Sequence, residues 1–261
     1  MDYGDIGIVM SNQKGNTATF RFNFFDDAGE QTEEVVLSDK KRIESENGSK
    51  AAFVVSTENA SMFEDFPCNP LGVADMQYIH YAGQLGDSRD IIPGQFEGGH
   101  TIWQGSVDLL RFIEESNLHV DASTVVLELG CGHGLPGCLL LRKGAKVYFQ
   151  DLNEDTLTKA TIPTIVVNCG VEAISRCTLL CGDWAHVPVL MKDVKVDIIL
   201  ASDTIYTPET IRSFVTAVNE LANPETLVWI ASQKYYFGLG GGTQALISII
   251  KEMQLPLEVD R

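Results

Sequence analysis

The sequence predicts an α/β fold, a mostly parallel, doubly wound sheet with helices on both faces. Three observations predict it. Short apolar runs alternate with helix-compatible stretches from about residue 106 onward, the pattern of repeated strand–helix–strand units. One of these runs, Val125-Val126-Leu127-Glu128-Leu129, breaks into glycines at 130, 132 and 134 and is followed by Pro136. Strand, glycine turn and helix form the layout of a nucleotide-binding first crossover. Glycine accepts positive φ and a close-lying ligand, and proline suits a first helical turn. The next strand closes on a carboxylate, in Phe149-Gln150-Asp151.

Taken in order, residues 1–90 read as an N-terminal extension, largely irregular. Phe20, Phe22, Phe24 and Phe25 form an aromatic cluster, and a charged stretch follows from Gly29 to Lys50 that has little to bury. Ala51 to Val55 suits a short strand. Gly83 to Gly94 carries repeated turn residues and reads as a linker into a domain spanning 91–261. A helix is expected over Ser106–Ser116, from the spacing of Val107, Leu110 and Phe112. The strand at Val125 and the apolar helix after Pro136 follow. Ala145 to Gln150 is the second strand. Glu154 to Cys169 reads as helix bent or divided by Pro163. Cys177–Cys181 and Val196–Ala201 are the third and fourth strands. Pro208–Leu221 is a helix, Thr226–Ser232 the fifth strand, and Thr243–Gln254 a final helix after the glycine loop Gly238–Gly242.

Composition narrows the function. The 261 residues suit one large domain with an appendage, or two small domains, and 44% apolar content supplies a core. A net charge of −17 argues against direct nucleic-acid binding, which needs a basic face, and suits a soluble enzyme with a basic protein substrate, or simply serves solubility. Six cysteines without C-x-x-C spacing read as packed, reduced thiols, with no metal site. No signal segment and no apolar run approaching a membrane span is present, so the expectation is a soluble intracellular protein without membrane contact.

The glycine turn fits two frames. Gly132-His133-Gly134-Leu135-Pro136-Gly137 matches G-x-G-x-x-G, the dinucleotide fingerprint, which leaves Glu128 without a role. Glu128-Leu129-Gly130-Cys131-Gly132-His133-Gly134 reads E-x-G-x-G-x-G and is similar to the first motif of seven-strand methyltransferases that use S-adenosylmethionine. Asp151 can then accept both ribose hydroxyls, or it can simply cap the next helix. Asp183 and Trp184, after the third strand, can meet an adenine ring, or form a capped turn. Asp203 and Tyr206, beyond the fourth strand, fall on the side where such sheets bind substrate.

Four stretches together resemble the eukaryotic protein-histidine methyltransferases of that superfamily, the branch that modifies a large-subunit ribosomal protein. They are Ile92-Pro93-Gly94 with Glu97-Gly98-Gly99 and Ile102-Trp103; Leu127 to Gly134 with Phe149-Gln150-Asp151; Ser202-Asp203-Thr204-Ile205-Tyr206; and Tyr236-Phe237-Gly238-Leu239-Gly240-Gly241-Gly242. The resemblance implies a Rossmann-like seven-strand sheet and methylation of the tele nitrogen of a histidine in large ribosomal subunit protein three, in cytoplasm and nucleus. It implies that Trp103 and its neighbours Ile102, Gln104, Gly105 and Ser106 line the cofactor pocket. Glu128, Gly130, Gly132, Gln150, Asp151, Leu152, Gly182, Asp183, Trp184 and Ser202 complete it. A carboxylate would orient the target imidazole: Asp203 first, Glu97 second. Three departures stand out. Asp203 replaces the family's usual Glu, Gln104 and Gly105 replace its usual Glu and Cys, and the C-terminus is short. Rival readings are lysine methylation by a related branch, a non-catalytic partner of a ribosomal protein that binds S-adenosylmethionine, and a nicotinamide-dependent dehydrogenase.

The superfamily sheet normally ends in a sixth strand and an antiparallel seventh beside the fifth. Leu255 to Arg261 can reach roughly 25 Å at most, enough for one short strand at Leu257–Val259. The expectation is a truncated sheet, with Val228 and Ile230 less covered at an open edge.

Overall fold

The computed structural model describes residues 51–79 and 98–259, together with the backbone of two short strands at Ala18–Phe20 and Lys40–Arg42. Those two strands are β1 and β2. Next come β3 (Phe53–Val55), a 3-10 turn at Ala60–Phe63, β4 (Cys68–Pro70) and β5 (Gln77–Ile79). The alternating part runs α1 (Gln104–Glu115), β6 (Val125–Leu129), α2 (Leu135–Arg142) and β7 (Lys146–Asp151). It continues with α3 (Glu154–Thr156), a π-helical turn (Leu157–Thr161), α4 (Ile162–Cys169), β8 (Cys177–Cys181) and α5 (Val187–Met191). Then follow β9 (Ile198–Ser202), α6 (Pro208–Leu221), β10 (Leu227–Ala231), α7 (Thr243–Glu252) and β11 (Leu257–Val259).

The main sheet has the order β10-β9-β6-β7-β8-β3-β2. The five strands from β10 to β8 are parallel. From β6 the chain steps outward to β7 and β8, then returns to place β9 on the other side of β6. The strand order therefore reverses between β6 and β9, the crevice where open α/β sheets bind ligands. Side chains alternate between two cores. Val126, Phe149, Leu200 and Trp229 face α1, α2 and α4. Leu127, Leu129, Ile199, Val228 and Ile230 face α5, α6 and α7. This is the expected doubly wound α/β arrangement.

Local chemistry sets the helix boundaries. Pro136 lies in the first turn of α2 and Pro208 in that of α6, where a missing N–H costs nothing. Thr207 and Thr210 cap α6 reciprocally. Pro163 begins α4 and the widened π turn immediately precedes it. The proline divides this helical stretch because its nitrogen cannot donate to the turn before it.

The structure differs from the sequence expectation at both edges of the sheet. The strands added to the parallel five come from the N-terminal part: β3 runs antiparallel to β8, and β2 antiparallel to β3. Residues 51–79 belong to the extension expected to be largely irregular, yet Phe53, Val55, Phe63, Val73 and Met76 are buried in the core shared with α1, α2 and α4. The β4–β5 hairpin is held through Asn168, which accepts from the Gln77 N–H at 2.7 Å and donates to its carbonyl. Apolar side chains spread over 53–76 without one clean period explain why the sequence did not announce this packing. Leu257–Val259 does form a strand, but it pairs in parallel with β1 in a separate two-stranded sheet. Val228 and Ile230 are fully buried, correcting the expectation of poor cover. Strand side chains stand perpendicular to the sheet, so α6 and α7 cover them whatever pairs with the edge.

The boundary at residue 90, the linker Gly83–Gly94, Ile92-Pro93-Gly94, Glu97 and most of the aromatic cluster lie outside the described residues. All six cysteines are free thiols. Among the described residues, no helix is long and apolar enough to cross a membrane.

The shared core makes a measurable demand. Phe63 is 1% exposed and packs edge-to-face on Phe66 at 5.4 Å. Phe63→Ala should cost about 3–5 kcal/mol and lower the midpoint of a single urea transition followed by tryptophan fluorescence. An unchanged midpoint would mean that residues 51–79 do not stabilise the domain.

Candidate active site

The candidate site forms where β6, β7, β8 and β9 end. After Leu129 the chain needs three left-handed residues in quick succession, and Gly130, Gly132 and Gly134 supply φ values of 62°, 52° and 71°. Only glycine takes such angles routinely. A Cβ on Gly130 would lie 2.8 Å from the Thr204 methyl and 3.6 Å from the Trp184 ring, so the absent side chain leaves a cradle between β6 and β9.

Gln150 holds this cradle open from below. Its Oε1 accepts from the Gly130 N–H at 3.1 Å and from the Trp184 indole N–H at 2.7 Å. Its Nε2 donates to the Gly182 carbonyl at 2.8 Å. One buried carboxamide thus ties three strand ends together and fixes the indole, which meets Phe214 edge-to-face at 5.7 Å. Asp151 does the same for the outer part of the turn. It accepts from the Gly132 N–H and from the Asn153 N–H, each at 3.1 Å. The second bond closes a local turn before α3, whose N-cap is Asn153, so Asp151 is not the helix cap that the sequence allowed as an alternative role. The stretch Gly98–His100 lies across the turn. The His100 carbonyl is 3.0 Å from His133 Nε2, and Gly99 closes over Asp151, which is 6% exposed. A side chain on Gly132 would meet the Gly99 carbonyl at 3.1 Å, so its expected clash falls on this stretch.

Glu128 is 1% exposed, and its Oε2 accepts from the Gly137 N–H at 2.8 Å in the first turn of α2. It braces the turn from behind. Burial pushes its pKa up to about 8, against the pull of the Gly137 N–H, and pushes that of Asp151 up to about 6. This decides between the two frames chemically. A dinucleotide pyrophosphate needs the amides at the α2 N-terminus, and one of those amides is already taken by an acid of the chain itself. Of the two acids only Asp151 releases its proton below pH 7, and it is the one that suits a cationic ligand.

At the opposite wall, Asp203 stands just beyond β9 at φ 52°, a strained angle for a side chain of its kind. Its N–H donates to the Ala231 carbonyl at 2.9 Å. Its Oδ2 accepts from the Gly105 N–H at 2.8 Å, and its Oδ1 accepts from the Tyr236 phenol. A Cβ on Gly105 would sit 2.5 Å from Oδ2. The two departures from the family pattern therefore touch: the glycine at 105 makes room for the carboxylate at 203. Ser202 and Ser106 share a hydrogen bond at 2.9 Å and close α1 onto β9.

The structure thus brings together Gly105, Ser106, Gly130, Gly132, Gln150, Asp151, Trp184, Ser202 and Asp203 around one crevice. Trp103 lies at the start of α1, 37% exposed, with its indole donating to the Gly98 carbonyl at 3.0 Å. Ile102 packs at the edge of the core, and Gln104 turns along its own helix to Asp108 at 2.9 Å. Asp183 caps the turn after β8 by accepting from the Ala185 N–H at 2.9 Å, and Leu152 is half-buried beside Asp151. Gly182 faces away: a Cβ there would strike Ala51 and Ala52, so it serves the close approach of β3. Glu97 lies outside the described residues. Sequence reasoning gave no role to Thr204, which flanks Gly130, or to Tyr236; the latter's one signal was the glycine-rich stretch that follows it.

Comparison with known proteins places these residues in a family. The family model described as "Lysine methyltransferase" matches residues 94–237. A "Histidine protein methyltransferase 1 homolog" of Dictyostelium discoideum is 38% identical over 64% of this chain and 53% of its own length. Its namesake from Rattus norvegicus is 32% identical over 62% and 52%. "Histidine protein methyltransferase 1" of Schizosaccharomyces pombe is 28% identical over 60% and 58%. The chain spans little more than half the length of these relatives.

The buried Glu128 has a pH signature. Its folded pKa near 8 lies above the ordinary 4.5. Between those values the folded state holds a proton that the unfolded chain has released, so stability falls as pH rises towards 8. Glu128→Gln mimics the protonated acid and should flatten the decline in melting temperature from pH 6 to 9. Parallel curves for parent and variant would contradict a protonated Glu128.

Proposed function

The chain belongs to the lysine methyltransferase family, and on that basis we propose that it transfers a methyl group from S-adenosylmethionine to a histidine ring nitrogen of a protein. The observation that carries the reading is the glycine cradle with Asp151 on one side and Asp203 on the other, while Glu128 occupies an α2 amide that a pyrophosphate would need. Three relatives named for histidine methylation support the choice of acceptor. The proposed substrate is large ribosomal subunit protein three, methylated at a tele nitrogen in the cytoplasm or nucleus. A chain of net charge −17 suits a basic protein of that kind.

The residues present fit the cofactor. The missing side chain at Gly130 leaves space for its methionine end, Asp151 would hold its ribose, and Asp183 and Trp184 would flank its adenine. A carboxylate has about four acceptor positions, and Asp151 already meets the backbone of Gly132, Leu152 and Asn153 and the Thr156 hydroxyl, so a diol would replace some of these donors. When bound, the cofactor supplies a methyl group on a sulfonium, which departs as the neutral thioether when the ring nitrogen's lone pair bonds the methyl carbon.

The chain's part is alignment and charge. Asp203 would accept the N–H of the far imidazole nitrogen, turning the near nitrogen's lone pair towards the methyl group. It would also stabilise the imidazolium that forms. Glu97 is the second candidate for that role. The cradle and the half-buried Trp184 exclude water from the line of transfer. A lysine acceptor is the second reading, favoured by the family model's own description.

Methyl-labelled S-adenosylmethionine, purified unmethylated ribosomal protein three and the full chain test this together. Mass spectrometry should place the label on a histidine, and amino-acid analysis on its tele nitrogen. Label on lysine would establish the second reading, and no label would leave a binding partner without activity. For the cofactor, Asp151→Ala should weaken S-adenosylhomocysteine binding by about 1.5–3 kcal/mol in calorimetry. Since ribose hydroxyls donate best to an ionised acid, parent affinity should fall as pH drops through about 6. Unchanged affinity at Asp151→Ala would reduce that residue to a brace of the local turns.

A further inference from the structure

The stretch Tyr236-Phe237-Gly238-Leu239-Gly240-Gly241-Gly242 has no part in the cofactor cradle, yet its backbone is tied down tightly. The Gly241 N–H donates to the Tyr206 carbonyl at 3.0 Å, and the Gly242 N–H to the Ile205 carbonyl at 2.8 Å. A Cβ on Gly241 would overlap the Tyr206 carbonyl, and one on Gly242 would crowd the Lys234 carbonyl. These glycines let the loop press onto the segment just after Asp203. Within the loop, the Leu239 and Gly240 N–H groups both donate to the Tyr236 carbonyl at 3.1 Å. Tyr236 is therefore fixed by its own backbone, while Phe237 beside it is 93% exposed.

The phenol is fully engaged. It donates to Asp203 Oδ1 and accepts from the Ser232 hydroxyl at 3.2 Å and the Gln233 N–H at 3.4 Å. A hydroxyl has one proton to give and two lone pairs, so nothing remains for a substrate.

From this geometry we infer that Tyr236 is a positioning residue: the glycine-rich loop exists to hold its phenol on Asp203, which aims that carboxylate into the methyl-transfer crevice. The inference rests on the proposed role of Asp203.

The surroundings of the acid support it. Burial raises the pKa of Asp203, and the nearby Asp108 on α1 adds to the rise; the Tyr236 and Gly105 donors pull it back down. Asp108 itself is paired with Arg111 at 2.7 Å and with Gln104. The phenol is thus the one side-chain donor on Asp203 among the described residues. It works against that rise and so favours the ionised carboxylate, the stronger acceptor of an imidazole N–H. With one Asp203 oxygen on a helix-start amide and the other on the phenol, the carboxylate plane cannot swing.

The test is Tyr236→Phe, which removes one oxygen and keeps the ring. Cofactor affinity in calorimetry should stay within about twofold of the parent. The kcat should fall about tenfold to a hundredfold, the scale for losing a hydrogen bond to a charged group, and the acid limb of the kcat–pH profile should move to higher pH. Carboxyl-carbon NMR of the full chain with labelled aspartate reads the same event without substrate. The Asp203 resonance, identified by its loss in Asp203→Asn, should titrate at higher pH in Tyr236→Phe. Difluorotyrosine incorporation makes the phenol a stronger donor without changing its shape, and should shift the resonance to lower pH. An Asp203 titration that ignores both changes, or a Tyr236→Phe enzyme at parent kcat, overturns the inference. Parent kcat in Asp203→Asn would instead strike the underlying role of Asp203.

Discussion

The whole crevice depends on one buried carboxamide. Gln150 sits at the end of β7, and its three hydrogen bonds reach the glycine turn after β6, the indole after β8 and the backbone of Gly182. Gly130 could not keep its left-handed angle between Thr204 and Trp184 without a partner for its N–H, since an orphaned buried amide costs about 1–3 kcal/mol. Asp151 repeats the device one residue further out, on the N–H of Gly132. The cradle is therefore a property of three strand ends held in register, and it lies where the strand order reverses.

Charge then selects what the cradle takes. Glu128 withdraws a helix amide from any phosphate, and Asp151 and Asp203 face the same crevice. A cationic sulfonium ligand suits Asp151 and Asp203, while Glu128, which holds its proton up to about pH 8, adds no charge. On the opposite wall Asp203 is pinned at a positive φ between the first turn of α1 and a loop anchored behind it. Two strained or glycine-only turns, one on each side of the crevice, mark the cofactor half and the acceptor half of the proposed reaction.

Much of this was legible in the residues. The strand at Val125, the glycines after it, the acid ending the next strand and the α6 boundaries at Pro208 and Leu221 follow from period, φ and capping chemistry that act within a few residues. The roles of Gln150 and Tyr236 were not, because each depends on partners about 30 residues away in sequence. Nor was the packing of Phe53 and Phe63, whose burial comes from tertiary contact with α4 and not from any local period. The widening before Pro163 is a proline effect, but a sequence cannot say whether such a stretch bends, breaks or opens into a π turn.

The most direct test is calorimetric titration of S-adenosylhomocysteine into the parent and into Gly130→Ala, with Gly144→Ala as the control for a positive-φ glycine whose Cβ would meet nothing nearer than 3.6 Å. If the turn is the cofactor cradle, the parent and the control bind, and Gly130→Ala loses binding because its methyl group fills the space between Thr204 and Trp184. Parent-level affinity in Gly130→Ala, or no binding by the parent, would contradict the account.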